Sequence, residues 1–80
     1  MLEIYIMQEK LCCVSENTEC EVYFVSGLNK CRLLEMGFTR GTKIKVLQKS
    51  IKNGPIEIEI RNSKLAIRRE EAANILVIVK

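Results

Sequence analysis

The stretch Arg32-Leu33-Leu34-Glu35-Met36-Gly37-Phe38-Thr39-Arg40-Gly41-Thr42 reads as a helix end followed by a tight turn. Leu28 to Met36 is the best helix candidate in the chain. Leu28, Cys31 and Leu34 fall on one face at three-residue spacing, which predicts the core-facing side, while Lys30, Arg32 and Glu35 face water. Ser26 and Asn29 are both suitable N-caps. Glycine reverses a helix through left-handed φ without a Cβ clash, so Gly37 is placed just after the last helical turn. With Gly37 at C′, Phe38 is C″ and Leu33 is C3, the two positions that touch in a Schellman ending. Thr39-Arg40-Gly41-Thr42 then forms a turn, with Gly41 suited to the positive φ of a type II turn.

Strand signals flank this centre on both sides. On the N-terminal side, residues 2–7 are apolar and β-prone, predicting a short strand, and Ser15-Glu16-Asn17-Thr18 reads as a turn. Cys20 to Val25 is rich in β-branched and aromatic residues, a strand that Ser26-Gly27 ends. On the C-terminal side, Lys43-Ile44-Lys45-Val46 alternates and predicts a half-buried strand to about Ser50. Asn53-Gly54 is a hairpin signal, and Pro55, lacking an N–H, suits a strand entrance. Ile56-Glu57-Ile58-Glu59-Ile60-Arg61 puts three isoleucines on one face and three charges on the other. Asn62-Ser63 is a turn, Leu65-Ala66-Ile67 a short strand, 68–73 a single helical turn and Ile75 to Val79 a buried final strand. The expected fold is mainly β: one domain over residues 1–80, with five or six short antiparallel strands bent into a partly closed barrel, one inserted helix and a helical turn near the C-terminus.

Composition narrows the function. Eighty residues make one domain with a limited core and no room for a deep cleft with a catalytic apparatus. The chain has no His, no G-x-S-x-G nucleophile motif and no glycine-rich phosphate loop, so no enzymatic activity is expected. The N-terminal segment has an acidic residue at position 3 and no basic n-region, so it does not read as a signal peptide. No apolar run approaches the roughly 18 residues that span a bilayer. The expectation is a cytoplasmic protein with reduced thiols and no membrane insertion.

Four cysteines, Cys12, Cys13, Cys20 and Cys31, lack the C-x₂₋₄-C pairs of a tight zinc site. Cys12, Cys20 and Cys31 are weak candidates for a thiolate site taking Fe²⁺ or Zn²⁺, set against the plainer reading of incidental thiols. Charge is lopsided: residues 1–27 carry five acids and one base, and residues 28–80 twelve bases and five acids. Such a chain can present one acidic and one basic face. Lys43, Lys45, Lys49 and Lys52 read mainly as an outward, edge-protecting strand face. Nucleic-acid binding is disfavoured by only two Tyr and two Phe and no RNA-binding aromatic signature.

Three blocks resemble one family. Arg32-Leu33-Leu34-Glu35-Met36-Gly37-Phe38-Thr39 with Gly41-Thr42 is similar to the R-L-x-x-M-G-[LF]-T-x-G-T signature of the bacterial ferrous-iron transport protein A (FeoA) family. Gly54-Pro55-Ile56-Glu57-Ile58 resembles its G-P-I/V-E-I hairpin, and Leu65 to Ala72 its L-A-L-R-x-x-E-A segment. The resemblance spans about residues 11–79. It implies an SH3-like barrel, a cytosolic accessory role in ferrous-iron transport and a partner in the cytosolic region of an FeoB-type GTPase-permease. It also implies kinship with a C-terminal domain of metal-dependent repressors, which leaves a thiolate carrier or a regulator with nucleic-acid association as alternatives. Arg40 stands where the family usually has Pro, and Asn62-Ser63 where it commonly has Gly plus an aromatic.

Leu33, Leu34, Gly37, Phe38, Gly41, Gly54 and Pro55 are expected to be architectural, with Leu34 in the core. Arg32, Glu35, Met36 and Arg40 are expected to meet a partner. A second reading has Leu33, Met36 or Phe38 leaving an apolar patch for that partner.

Overall fold

A computed structural model describes residues 8–50, 52 and 54–79. The strand expected at 2–7 lies outside the described residues. Six strands form one antiparallel sheet: β1 (Gln8–Lys10), β2 (Thr18–Val25), β3 (Lys43–Lys49), β4 (Ile56–Ile60), β5 (Ser63–Ile67) and β6 (Ile75–Val79). Two short helices, α1 (Lys30–Glu35) and α2 (Arg69–Ala72), and a 3-10 turn over Leu11–Cys13 complete it. The strand order β1-β6-β2-β3-β4-β5 is a meander from β2 to β5, with the last strand inserted between β1 and β2.

Period-2 patterning decides which side of each strand faces inward. Ile44 and Val46 of β3, Ile56, Ile58 and Ile60 of β4 and Ile75 and Val77 of β6 enter one buried cluster. Leu11 and Val14 join it from the 3-10 turn and its C-cap, and Leu33 and Phe38 from α1 and its exit. Every strand from β2 to β6 contributes to this single cluster, so the sheet curves around it as a partly closed barrel.

In β2 the alternation breaks. Cys20 and Val22 point inward, the next buried residue is Val25, and a register shift against β6 falls between Val22 and Phe24. A bulge there turns both Tyr23 and Phe24 toward the outer side. Between β4 and β5, Arg61 (φ 50°) and Asn62 (φ 65°) are both left-handed, and Ile60 pairs directly with Ser63. That is a two-residue type I′ hairpin, whose twist matches that of the flanking strands. The longer β3–β4 connection closes with Ser50 N–H donating to the Pro55 carbonyl at 3.2 Å; Asn53 of the expected hairpin signal lies outside the described residues.

The two halves of the charge distribution do not form separate faces. β2 and β3 are neighbours, so Glu19 stands opposite Lys45 and Glu21 opposite Lys43, while Lys45 also faces Glu59 on β4. Antiparallel pairing interleaves the acidic N-terminal and basic C-terminal segments.

Candidate functional site

The chain enters α1 through Asn29 as N-cap, whose side chain makes no cap hydrogen bond. The exit from α1 is a full Schellman ending. Phe38 N–H donates to the Leu33 carbonyl at 3.1 Å, and Gly37 N–H to the Leu34 carbonyl at 3.1 Å, with Gly37 at φ 110°. Leu33 and Phe38 are each 0% exposed. The second reading of an apolar patch at Leu33 or Phe38 is therefore overturned, because both are core; Met36 packs partly buried against the same cluster.

The expected inward face of α1 is also corrected. Leu28 is 104% exposed, Leu34 37%, and Cys31 is exposed. Leu33 is the inward residue because the Schellman geometry ties it to the buried Phe38. The face carrying Cys31 and Leu34 is left outside.

The turn after α1 behaves as its residues require. Thr42 N–H donates to the Thr39 carbonyl at 3.0 Å, with Gly41 at φ 90°. Gly41 N–H then reaches the Val22 carbonyl at 2.8 Å, and Val22 N–H the Thr42 carbonyl at 2.9 Å, stitching the turn to β2. Arg40, in the place of a family Pro, lays its guanidinium over the Tyr23 ring at 4.9 Å. Arg32 does not project freely: it pairs with Glu71 of α2, which is buried. Glu35 is exposed.

The outer surface around α1 gathers the large apolar side chains left exposed among the described residues, Phe24, Leu28 and Leu34. Lys30 Nζ lies 6.0 Å from the centre of the Phe24 ring, and Lys30 and Leu34 are neighbours on the helix at i, i+4. Phe24, Lys30 and Leu34 thus form a row, with Leu28 at the entry to α1. The sequence signal that finds Phe24 is the three-residue step from Val22 to Val25 in an otherwise alternating strand.

The cysteine candidates do not assemble. Cys20 is buried in the core, and burial, with Glu9 as a lesser cause, pushes its thiol up to about 11. Cys31 sits on the outer side of α1 and Cys12 on the 3-10 turn. Among the described residues no group of three or more Cys, Asp or Glu side chains is placed to hold a metal ion. A cleft of about 360 Å³ opens where β2, β3 and β4 meet, lined by Glu19, Glu21 and Glu59 together with Lys43, Lys45 and Arg61. Its opposite charges offset one another, so it carries no strong field for an anion or a cation. No helix among the described residues is long and apolar enough to cross a membrane.

The FeoA domain model matches residues 10–79. The chain belongs to the FeoA family. The solution structure of an FeoA protein from Chlorobium tepidum is 33% identical, with a TM-score of 0.79, over 89% of this chain and 70% of that one. The crystal structure of Stenotrophomonas maltophilia FeoA complexed with zinc is 26% identical, with a TM-score of 0.74, over 89% of this chain and 88% of that one. That protein is described as a procaryotic SH3 domain protein possibly acting as a bacterial ferrous iron transport activating factor. A manganese-dependent transcriptional repressor, 16% identical, has a TM-score of 0.81 over 96% of this chain and 44% of its own, which shows a shared fold alone. Comparison with curated proteins gives no match. The fold of this FeoA domain is thus the SH3-like barrel that the three sequence blocks imply.

Proposed function

We propose that this FeoA domain is a non-catalytic cytoplasmic accessory module of bacterial ferrous-iron transport, which acts by contacting the cytosolic region of an FeoB-type permease. Family membership supplies the transport context. The observation that carries the contact reading is the exposure of the large apolar side chains Phe24, Leu28 and Leu34 on and beside α1. A small domain that leaves three large apolar side chains exposed on and beside α1, with Lys30 set between Phe24 and Leu34, has the makings of a protein-contact surface.

Co-purification with the cytosolic region of the cognate permease is the test. The expected result is retention by the wild-type chain and loss by Leu28→Glu and Leu34→Glu. Both side chains are exposed, so the folded state survives the substitutions, as circular dichroism will verify. Failure of the folded wild-type chain to co-purify would count against the contact. Retention by both variants would move it to another surface.

A further inference from the structure

The turn between β1 and β2 holds a pair of thiols that the proposed contact does not use. In a strand, adjacent side chains point to opposite faces. Cys12 and Cys13 instead lie in a 3-10 turn, where three residues complete a revolution and successive side chains diverge less. Their sulfurs stand 4.0 Å apart, both thiols free.

The turn is held in place from all sides. Leu11 and Val14, flanking the pair, are 0% and 1% exposed and anchor in the core. Val14 N–H donates to the Leu11 carbonyl at 3.2 Å. From β3, the Lys49 ammonium donates to the Cys12 carbonyl at 2.9 Å and to the Val14 carbonyl at 3.1 Å. In the sequence Lys49 reads as part of an outward, edge-protecting strand face. The register shift between Val46 and Gln48 breaks that alternation, and the ammonium bonds the turn's carbonyls. Cys13 is exposed and Cys12 half-buried, so the pair is reachable from solvent while its backbone is fixed.

Two thiolates bound to one tetrahedral ion at the zinc–sulfur distance of about 2.3 Å stand about 3.8 Å apart, and a larger soft ion spreads them further. The observed spacing falls in that range without any movement of the turn. We infer that Cys12 and Cys13 form a bidentate thiolate site for one soft, thiophilic divalent ion. Binding forms two metal–sulfur bonds and releases the two thiol protons to solvent, with no change of oxidation state. Two protein ligands leave the remaining coordination positions open, so the ion stays exchangeable, unlike that of a closed four-ligand structural site. Soft thiolates select such ions over hard, oxygen-preferring ones.

The test is titration of the reduced full chain with Cd²⁺ alone, read by the ultraviolet thiolate-to-metal charge-transfer absorption. One equivalent is expected to saturate the signal. Cys13→Ser, an exposed substitution that leaves the core intact, is expected to weaken binding by more than about tenfold, since even outer-shell losses at metal sites cost about 10–100-fold. Cys31→Ser is expected to titrate like the wild type. The inference is overturned if the wild type gives no charge-transfer signal, if Cys13→Ser binds as tightly as the wild type, or if Cys31→Ser weakens binding equally. None of these outcomes depends on a permease, so the site stands or falls separately from the proposed contact.

Discussion

The exposed Arg32 closes its guanidinium on a carboxylate that is almost entirely buried, that of Glu71, whose side chain is 1% exposed against 56% for Arg32. Each oxygen of Glu71 has its own partner. Oε2 takes Arg32, and Oε1 accepts the Arg68 backbone N–H at 2.9 Å, closing the first turn of α2. Arg32 opens the first family block and Glu71 belongs to the third, so two motifs far apart in the chain are joined at one ion pair. That one ion pair ties α1 to α2.

Removing one partner leaves a buried charge uncompensated, which costs more than the pair itself contributes. Arg32→Met is accordingly expected to destabilise the domain by about 1–3 kcal/mol, tempered by the solvent that reaches Arg32. Glu71→Leu is expected to cost at least as much, because it also unpairs the Arg68 N–H. Chemical denaturation of both single variants and the double variant measures the coupling. A double variant much less destabilised than the sum of the singles bears out the pair; strict additivity refutes it.

Gly37→Ala is expected to cost about 1 kcal/mol or more, from a left-handed φ that alanine tolerates poorly. A Cβ there would also lie 3.3 Å from Ile60 Cδ1, so that side chain must shift by a few tenths of an ångström. The same denaturation experiment reads it. Unchanged stability would mean that the chain can leave α1 by another route.

Much of this architecture was written in local chemistry. The Schellman ending at Gly37, the alternating isoleucines of β4 and the apolar run of β6 each depend on near neighbours, and each lies where its pattern places it. The inward face of α1 was not legible. With six residues, α1 has fewer than two turns, so the spacing of Leu28, Cys31 and Leu34 does not fix its phase. The burial of Leu33 and Phe38, held together by the Schellman ending, sets the orientation instead. β1 was hidden for a similar reason: Gln8-Glu9-Lys10 has no β-prone residue and is a strand because the backbone of β6 pairs with it. The bonding of Arg32 likewise depended on where the third block folds. For the candidate contact surface, sequence pointed to α1, while the exposure of Phe24 and Leu28 required the bulge in β2 and the phase that α1 takes in the fold.

The β4–β5 hairpin offers a stabilising change. Type I′ turns favour Asn-Gly because both central residues take positive φ, yet Arg61 occupies the first at φ 50°. Arg61→Asn combined with Asn62→Gly is expected to raise stability by about 0.5–1 kcal/mol, the scale of a conformationally matched turn substitution. Thermal unfolding measures it. A lower midpoint would show that the Arg61 side chain supports the turn through contacts that outweigh its backbone conformation.

Cys20 makes the domain sensitive to alkali. Burial beside Ile44, with Glu9 as the lesser cause, pushes its thiol up from an ordinary 9.0 to about 11. Between those values the unfolded chain has released the Cys20 proton and the folded chain still holds it. The unfolded state then binds fewer protons, so stability falls as pH rises from 9 toward 11. Two pKa units correspond to a loss on the order of 2–3 kcal/mol, an upper figure because partial solvation moderates it. Cys20→Ala removes the titrating group and leaves a small cavity. It is expected to be less stable than the wild type at neutral pH and to lose less stability between pH 9 and 11, so the two curves converge. Parallel curves would show that Cys20 ionises as readily in the fold as in the unfolded chain. Thiol alkylation at pH 8 gives an independent check: exposed Cys13 and Cys31 are expected to react in the native protein, and Cys20 only on unfolding.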